Sequence, residues 1–129
     1  MSLSVSYKLL IASVLFVVIV YDLADAQEVK KISNEELVAL MKQSDLQLID
    51  VRTPEEVSFG IIEGAQHIDY YDPKFASKMK RLNKDKPVVV YCAAGGRSAQ
   101  TGEVLKNMGF QEVMTLPEDF VIGKKKDIR

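Results

Sequence analysis

Apolar residues are distributed along this chain in two different ways. Residues 9–20 are apolar at every position but Ser13, whereas from residue 29 onward short apolar runs alternate with helical periodicities. Residues 29–32 form a strand candidate, and Ser33 then caps a helix with Glu36 three residues on, the pattern of a capping box. Leu37, Leu40 and Met41 give that helix its inner face. Residues 46–51 are short and mostly apolar, as a buried strand requires, and Thr53-Pro54-Glu55-Glu56 repeats the cap with proline at the first helical position. That helix ends near Gly60. Residues 65–68 are a weaker strand, and Asp72-Pro73 opens a helix with the stripe Phe75, Met79 and Leu82. Lys86-Pro87 leads into Val88-Val89-Val90-Tyr91, the clearest strand in the chain. After a glycine-containing loop, residues 98–108 form a helix with Val104, Leu105 and Met108 inward and Gly109 placed to end it. Residues 113–116 are the last strand. This alternation predicts an α/β fold, a parallel sheet with helices on both faces.

The early apolar run stands apart from that pattern. Lys8 precedes it, Asp22 and Asp25 close it, and Ala24-Asp25-Ala26 is an A-x-A cleavage signal, so residues 1–26 read as a cleavable signal peptide. A membrane anchor is the alternative, but a bilayer takes roughly 20 apolar residues and this run is shorter. No cysteine follows Ala26 to carry a lipid. The expectation is therefore an extracytoplasmic protein, periplasmic or secreted, of residues 27–129, with no stable membrane anchor after cleavage.

Composition narrows the functions available to that domain. The whole chain has 129 residues, 47% of them apolar, with 17 basic against 18 acidic residues, which suits one modest globular domain and argues against disorder. Cleavage after Ala26 removes one basic and two acidic residues, leaving 16 of each sign. A neutral domain has no excess of positive charge to neutralise phosphates, so no nucleic-acid partner is expected. One cysteine, Cys92, and one histidine, His67, cannot make an intramolecular disulfide or fill a structural zinc site. No metal and no cofactor is expected.

The chemistry is placed at the end of the clearest strand. In open parallel sheets ligands bind beyond the carboxyl ends of the strands, and Cys92 is the first residue past residue 91. The connection Cys92-Ala93-Ala94-Gly95-Gly96-Arg97-Ser98 is small enough to curl so that successive N–H groups form an anion-favouring nest. The start of the next helix adds partial positive charge, and Arg97 adds a full one. All three favour thiolate over thiol, so Cys92 is the candidate nucleophile rather than an inert buried thiol. Ala93, Ala94, Gly95, Gly96, Arg97 and Ser98 are its candidate substrate-binding residues.

At this point the chain resembles the rhodanese family. Asp50-Val51-Arg52 is similar to the family's D-V-R, residues 60–65 (Gly-Ile-Ile-Glu-Gly-Ala) to its G-H-I-P-G-A, and residues 92–98 to its C-x-x-G-x-R-S loop. The resemblance covers residues 32–116. It implies a single-domain, five-stranded sulfurtransferase fold whose cysteine takes the outer sulfur of a donor such as thiosulfate or polysulfide as a persulfide. The sulfur would then pass to cyanide or a thiol, including a protein thiol. Two departures stand out: Ile61 replaces the usual histidine, and after Leu116 the usual Gly-Gly and later tryptophan give way to Pro117-Glu118-Asp119-Phe120, an atypical tail over residues 117–129.

Other polar residues take quieter roles. Asp50 and Arg52, at a strand end beside the crevice, are expected to stabilise the fold around the site through polar contacts rather than to react. His67 has no identifiable orienting partner, which weighs against a Cys-His hydrolase. Tyr70 and Tyr71 read as loop residues, and Lys124-Lys125-Lys126 as a solvated tail. Two rival functions remain in view. A non-catalytic binding module of the same family is one. A phosphatase or arsenate reductase is the other, but its loops have five residues between cysteine and arginine where Cys92 and Arg97 have four.

Overall fold

The computed structural model describes residues 4–25, 28–43 and 45–118. The first helix, α1 (Val5–Asp25), stands apart: every described side chain from Ser4 to Val17 is exposed. Those side chains lend nothing to the core of the domain that follows. Ala26, where the cleavage motif ends, lies outside the described residues, as do Phe120 and the three lysines at 124–126.

From residue 30 the elements run β1 (Lys30–Lys31), α2 (Asn34–Met41), β2 (Gln47–Asp50), α3 (Pro54–Ser58), β3 (Gln66–His67), α4 (Phe75–Met79), β4 (Val88–Tyr91), α5 (Gly96–Asn107) and β5 (Val113–Thr115). The strands form one sheet in the order β1-β5-β4-β2-β3, with every pairing parallel. Strand β4 is central and buried along its whole length, which is why its sequence is an unbroken apolar run rather than an alternation. Its side chains point alternately into two cores. Val88, Val90 and Cys92 join Met79 of α4, Leu105 of α5 and Phe110 on one face, while Val89 and Tyr91 join Leu37 of α2, Ile62 and Leu116 on the other. The sheet is thus covered on both faces, as the alternation of elements predicts.

Local chemistry set several boundaries as expected. Ser33 and Thr53 both close complete capping boxes, with Glu36 and Glu56 as the reciprocal partners. Gly109, at φ 90°, ends α5: its N–H donates to the Lys106 carbonyl and that of Phe110 to the Leu105 carbonyl. The burial of Phe110 anchors the turn.

Several boundaries differ from the sequence expectation. Strands β1 and β3 each keep only two of their four expected residues, being the edges of the sheet with a single pairing partner each. Helix α4 starts at Phe75, because Asp72 turns the chain first by accepting the Lys74 N–H at 2.7 Å. Helix α5 starts at Gly96, two residues earlier than expected, and its buried face is Ser98, Thr101, Gly102 and Leu105. Met108 packs at the edge of the core and Val104 is only half-buried. The small residues are there for closeness: a Cβ on Gly102 would lie 2.9 Å from Cγ1 of Val29.

Candidate active site

The register of the sheet builds the site. Asp50 at the end of β2 is level with Tyr91 at the end of β4, so residues 50–52 emerge beside the loop that begins at Cys92. Within that loop Gly95 adopts φ 83°, a left-handed conformation that glycine takes without a Cβ penalty, and serves as N-cap of α5. The turn brings the chain back over the sulfur. The Gly95 N–H donates to Cys92 Sγ at 3.1 Å and the Ser98 N–H at 3.4 Å. Ser98 Oγ lies 3.4 Å from Sγ and donates to the Gly95 carbonyl at 3.0 Å. An ionised sulfur would accept that hydroxyl proton in place of the carbonyl.

Cys92 is only 5% exposed, and burial pushes its thiol pKa up. The Ser98 hydroxyl and the N–H groups of Ser98, Ala94 and Gly95 outweigh burial, and the net shift is downward. The N-terminal end of the 12-residue helix α5 points at the same place. Ala93 and Ala94 form the exposed tip of the loop, and Gly96 is the first, exposed residue of the helix.

Arg97 departs from its expected part. Rather than offering a free charge to the loop, its guanidinium grips Glu56 of α3 through two bonds of 2.7 Å, Nη1 to Oε2 and Nη2 to Oε1. Those bonds lower the Glu56 carboxyl to about 2, against a smaller opposing effect of burial. They also raise the Arg97 pKa, with the Cys92 sulfur and the Tyr71 hydroxyl adding weaker attractions. Glu56 has a second duty, for its Oε2 accepts the Thr53 N–H at 2.8 Å in the capping box. Sequence reasoning found that cap but missed the ion pair, which joins residues 41 positions apart.

Asp50 and Arg52 form a buried pair under the site. Asp50 accepts from the Arg52 backbone N–H at 2.9 Å, from Nε at 3.0 Å and from Nη2 at 2.7 Å. Arg52 Nη2 also donates to the Gly60 carbonyl at 2.7 Å, tying the end of α3 to β2, and its guanidinium carbon lies 5.9 Å from the centre of the Tyr91 ring. The Tyr91 hydroxyl accepts the Ile62 N–H at 3.2 Å, while burial and the Asp50 carboxylate push its pKa upward. These are the fold-stabilising contacts expected of Asp50 and Arg52. His67 is spent in the same network, its Nε2–H donating to the Arg52 carbonyl at 2.7 Å. Tyr70 donates to Gln100 of α5, and Tyr71 is 66% exposed.

Glu118, in the atypical tail, also reaches this loop. Its Cγ would lie 2.5 Å from a Cβ at Gly95, and its carboxylate pairs with Lys31 of β1 at 3.5 Å. No sequence signal marked that contact, because it depends on β5 running parallel to β4 and delivering the chain end beside the loop.

A parallel α/β sheet whose central strand ends in a cysteine cradled by its own loop N–H groups defines a class of cysteine-loop proteins. The chain belongs to the rhodanese-like domain family, whose model matches residues 33–121. YtwF of Bacillus subtilis is 40% identical over 87 residues, spanning 67% of this chain and 82% of that protein. A sulfurtransferase of Allochromatium vinosum is 34% identical, covering 68% and 81%, and the thiosulfate sulfurtransferase GlpE of Pseudomonas putida is 29% identical, covering 75% and 86%. Among solved structures, a rhodanese-related protein of Thermoplasma volcanium is 31% identical with a TM-score of 0.60, over 69% of this chain and 85% of that one. The chain is accordingly a rhodanese-like sulfurtransferase.

Proposed function

We propose that the protein moves sulfane sulfur through a persulfide on Cys92, outside the cytoplasm. The observation that carries the reading is the convergence of the Gly95 and Ser98 N–H groups on Cys92 Sγ, at 3.1 and 3.4 Å. The same donors that favour a thiolate would hold the terminal sulfur of a persulfide, where negative charge collects after transfer.

In the first step the Cys92 thiolate attacks the outer sulfur of a donor such as thiosulfate or polysulfide. A Cys92–sulfur bond forms and the donor's sulfur–sulfur bond breaks, its electron pair leaving on sulfite or on the shortened polysulfide. In the second step cyanide or a thiol, including a protein thiol, attacks the terminal sulfur, and the electron pair returns to Cys92 as thiolate. Ala93, Ala94, Gly95, Gly96 and Ser98 shape the loop that receives the donor. Arg97 positions it through Glu56. No histidine base is required, in keeping with His67 being held by the Arg52 carbonyl.

The location rests on the A-x-A motif ending at Ala26 and on the exposed apolar helix before it. N-terminal sequencing should find the mature chain starting at Gln27; a membrane-bound form starting at Met1 would overturn that. For the chemistry, intact-mass measurement after donor treatment should show one added sulfur on the wild type and none on Cys92→Ser, which retains the fold. Sulfur transfer by the serine variant would remove the basis of the mechanism.

A further inference from the structure

We propose that the tail after Glu118 folds back into a groove between α5 and β1, with Phe120 and Ile122 as its apolar anchors, and so holds the cysteine loop from outside. The groove has a volume of about 370 Å³ and is lined by Val29, Lys31, Ala99, Gln100, Glu103 and Thr115. Its floor is apolar for a structural reason. Helix α5 lies so close to the sheet here that a Cβ on Gly102 would be 2.9 Å from Cγ1 of Val29 and 3.5 Å from the Thr115 methyl. Ala99 and Glu103, one helical turn apart, form the wall above that floor. A cavity of about 150 Å³ takes up benzene, so a phenyl ring and an aliphatic side chain fit this groove together.

The chain arrives at one end of the groove. Glu118 pairs with Lys31 at 3.5 Å, on one wall, and its Cγ would lie 2.5 Å from a Cβ on Gly95, the N-cap of the helix that makes the other wall. From there the groove runs away from the cysteine loop. Strand β1 is parallel to β5, and α5 returns from the end of β4 to the start of β5, so the helix runs opposite to the strands. Lys31 and Ala99 therefore lie at the loop end, and Glu28, Val29 and Glu103 at the far end.

The order of residues in the tail matches the order of residues along the groove. After Asp119 come Phe120-Val121-Ile122, then Gly123, then Lys124-Lys125-Lys126. In an extended chain Phe120 and Ile122 face the same side, and the four steps from Phe120 to Lys124 span about 13 Å. The wall from Lys31 to Glu28 covers about 10 Å, so the apolar triplet lies over the apolar floor and the lysines reach Glu28 and Glu103. Glu28 is exposed, and the Glu103 side chain is 59% exposed, with its carboxylate 3.6 Å from Lys106. The tail of a second copy has the same sequence, but the chain's own tail already starts at the groove. Seating it fixes Glu118 against Gly95, whose N–H donates to Cys92 Sγ at 3.1 Å, and thereby steadies that donor.

The first test is of proximity, in the whole protein carrying Cys92→Ser. With Ala99→Cys and Val121→Cys added, oxidation should close an intramolecular disulfide about tenfold faster than in a control pairing Val121→Cys with Ser77→Cys on α4. Equal rates in the two pairs would overturn the proposal. So would a disulfide-linked dimer as the main product at low micromolar protein, which would give the groove to the tail of a second copy. The second test is of the loop, with Cys92 in place. Phe120→Asp combined with Ile122→Asp should make Cys92 alkylation about threefold faster at fixed pH, because the loop opens more often without its outer support. An unchanged rate would overturn the link between tail and loop. If the double variant does not fold, Phe120→Ser carries the same comparison.

Discussion

The ion pair between Arg97 and Glu56 allows a quantitative test of what holds the cysteine loop against α3. Glu56→Gln keeps an oxygen for the Thr53 N–H and so preserves the helix cap, but removes the charge that Arg97 grips. The fall of the Glu56 carboxyl from 4.5 to about 2 corresponds to roughly 3 kcal/mol at ~1.36 kcal/mol per pKa unit. The two side chains are 19% and 32% exposed, and solvent screening cuts the contribution to about 1.5 kcal/mol. For a domain of this size that is a fall in melting temperature of roughly 6–12 °C at pH 7. The pH dependence follows from the direction of the shift. Glu56 titrates lower folded than unfolded, so its contribution is complete above pH 4.5 and is lost as pH falls towards about 2. By about pH 3 less than half should remain. Thermal melts of wild type and variant should therefore differ almost equally at pH 7 and 5, and by less than half as much at pH 3. Equal melting temperatures at pH 7, or a deficit undiminished at pH 3, would refute the claim that this pair anchors the loop.

Further expectations concern the loop and its support. Gly95→Ala puts a Cβ on a backbone at φ 83° and into Cγ of Glu118, so it should cost about 1–2 kcal/mol by urea denaturation; no loss would mean the turn is not as described. Arg52→Met leaves the Asp50 carboxylate buried without its partner and should destabilise by about 3–5 kcal/mol, whereas a loss below about 1 kcal/mol would show the pair to be dispensable. Ser98→Ala removes the hydroxyl 3.4 Å from Cys92 Sγ, which lowers the thiol pKa. The pH midpoint of Cys92 alkylation should lie below the ordinary thiol value in the wild type and move upward in the variant; an unmoved midpoint would leave the backbone N–H groups as the whole cause.

Much of the scaffold was legible because its signals are local. Ser33 with Glu36, Thr53 with Glu56, and Gly109 after α5 each satisfy hydrogen bonds within one turn, and the structure places all three as expected. The unbroken Val88–Tyr91 run marked the clearest strand, and the structure buries it along its whole length. Where local reading fell short, a neighbour in space had intervened. The buried face of α5 adds Ser98, Thr101 and Gly102 to the expected Leu105, and at Gly102 the helix sits too close to Val29 for a larger residue. Asp50 and Arg52 were read as supports, but nothing in the sequence told of the Gly60 carbonyl that completes their network.

At the site itself the division is sharper. The sequence alone determined that Cys92 follows the clearest strand, that four residues separate it from Arg97, and that the small residues between them permit a turn which aims N–H groups at one point. These are properties of contiguous residues, whose geometry is set by backbone conformation and short hydrogen bonds. Only the tertiary structure decided where the charge of Arg97 goes. Parallel pairing of β2 with β4 brings α3 beside the loop, Glu56 captures the guanidinium, and β5 delivers Glu118 to Gly95. Electrostatic interaction depends on separation in space and not on separation along the chain, so the charge of the site became readable only once the sheet had set its neighbours.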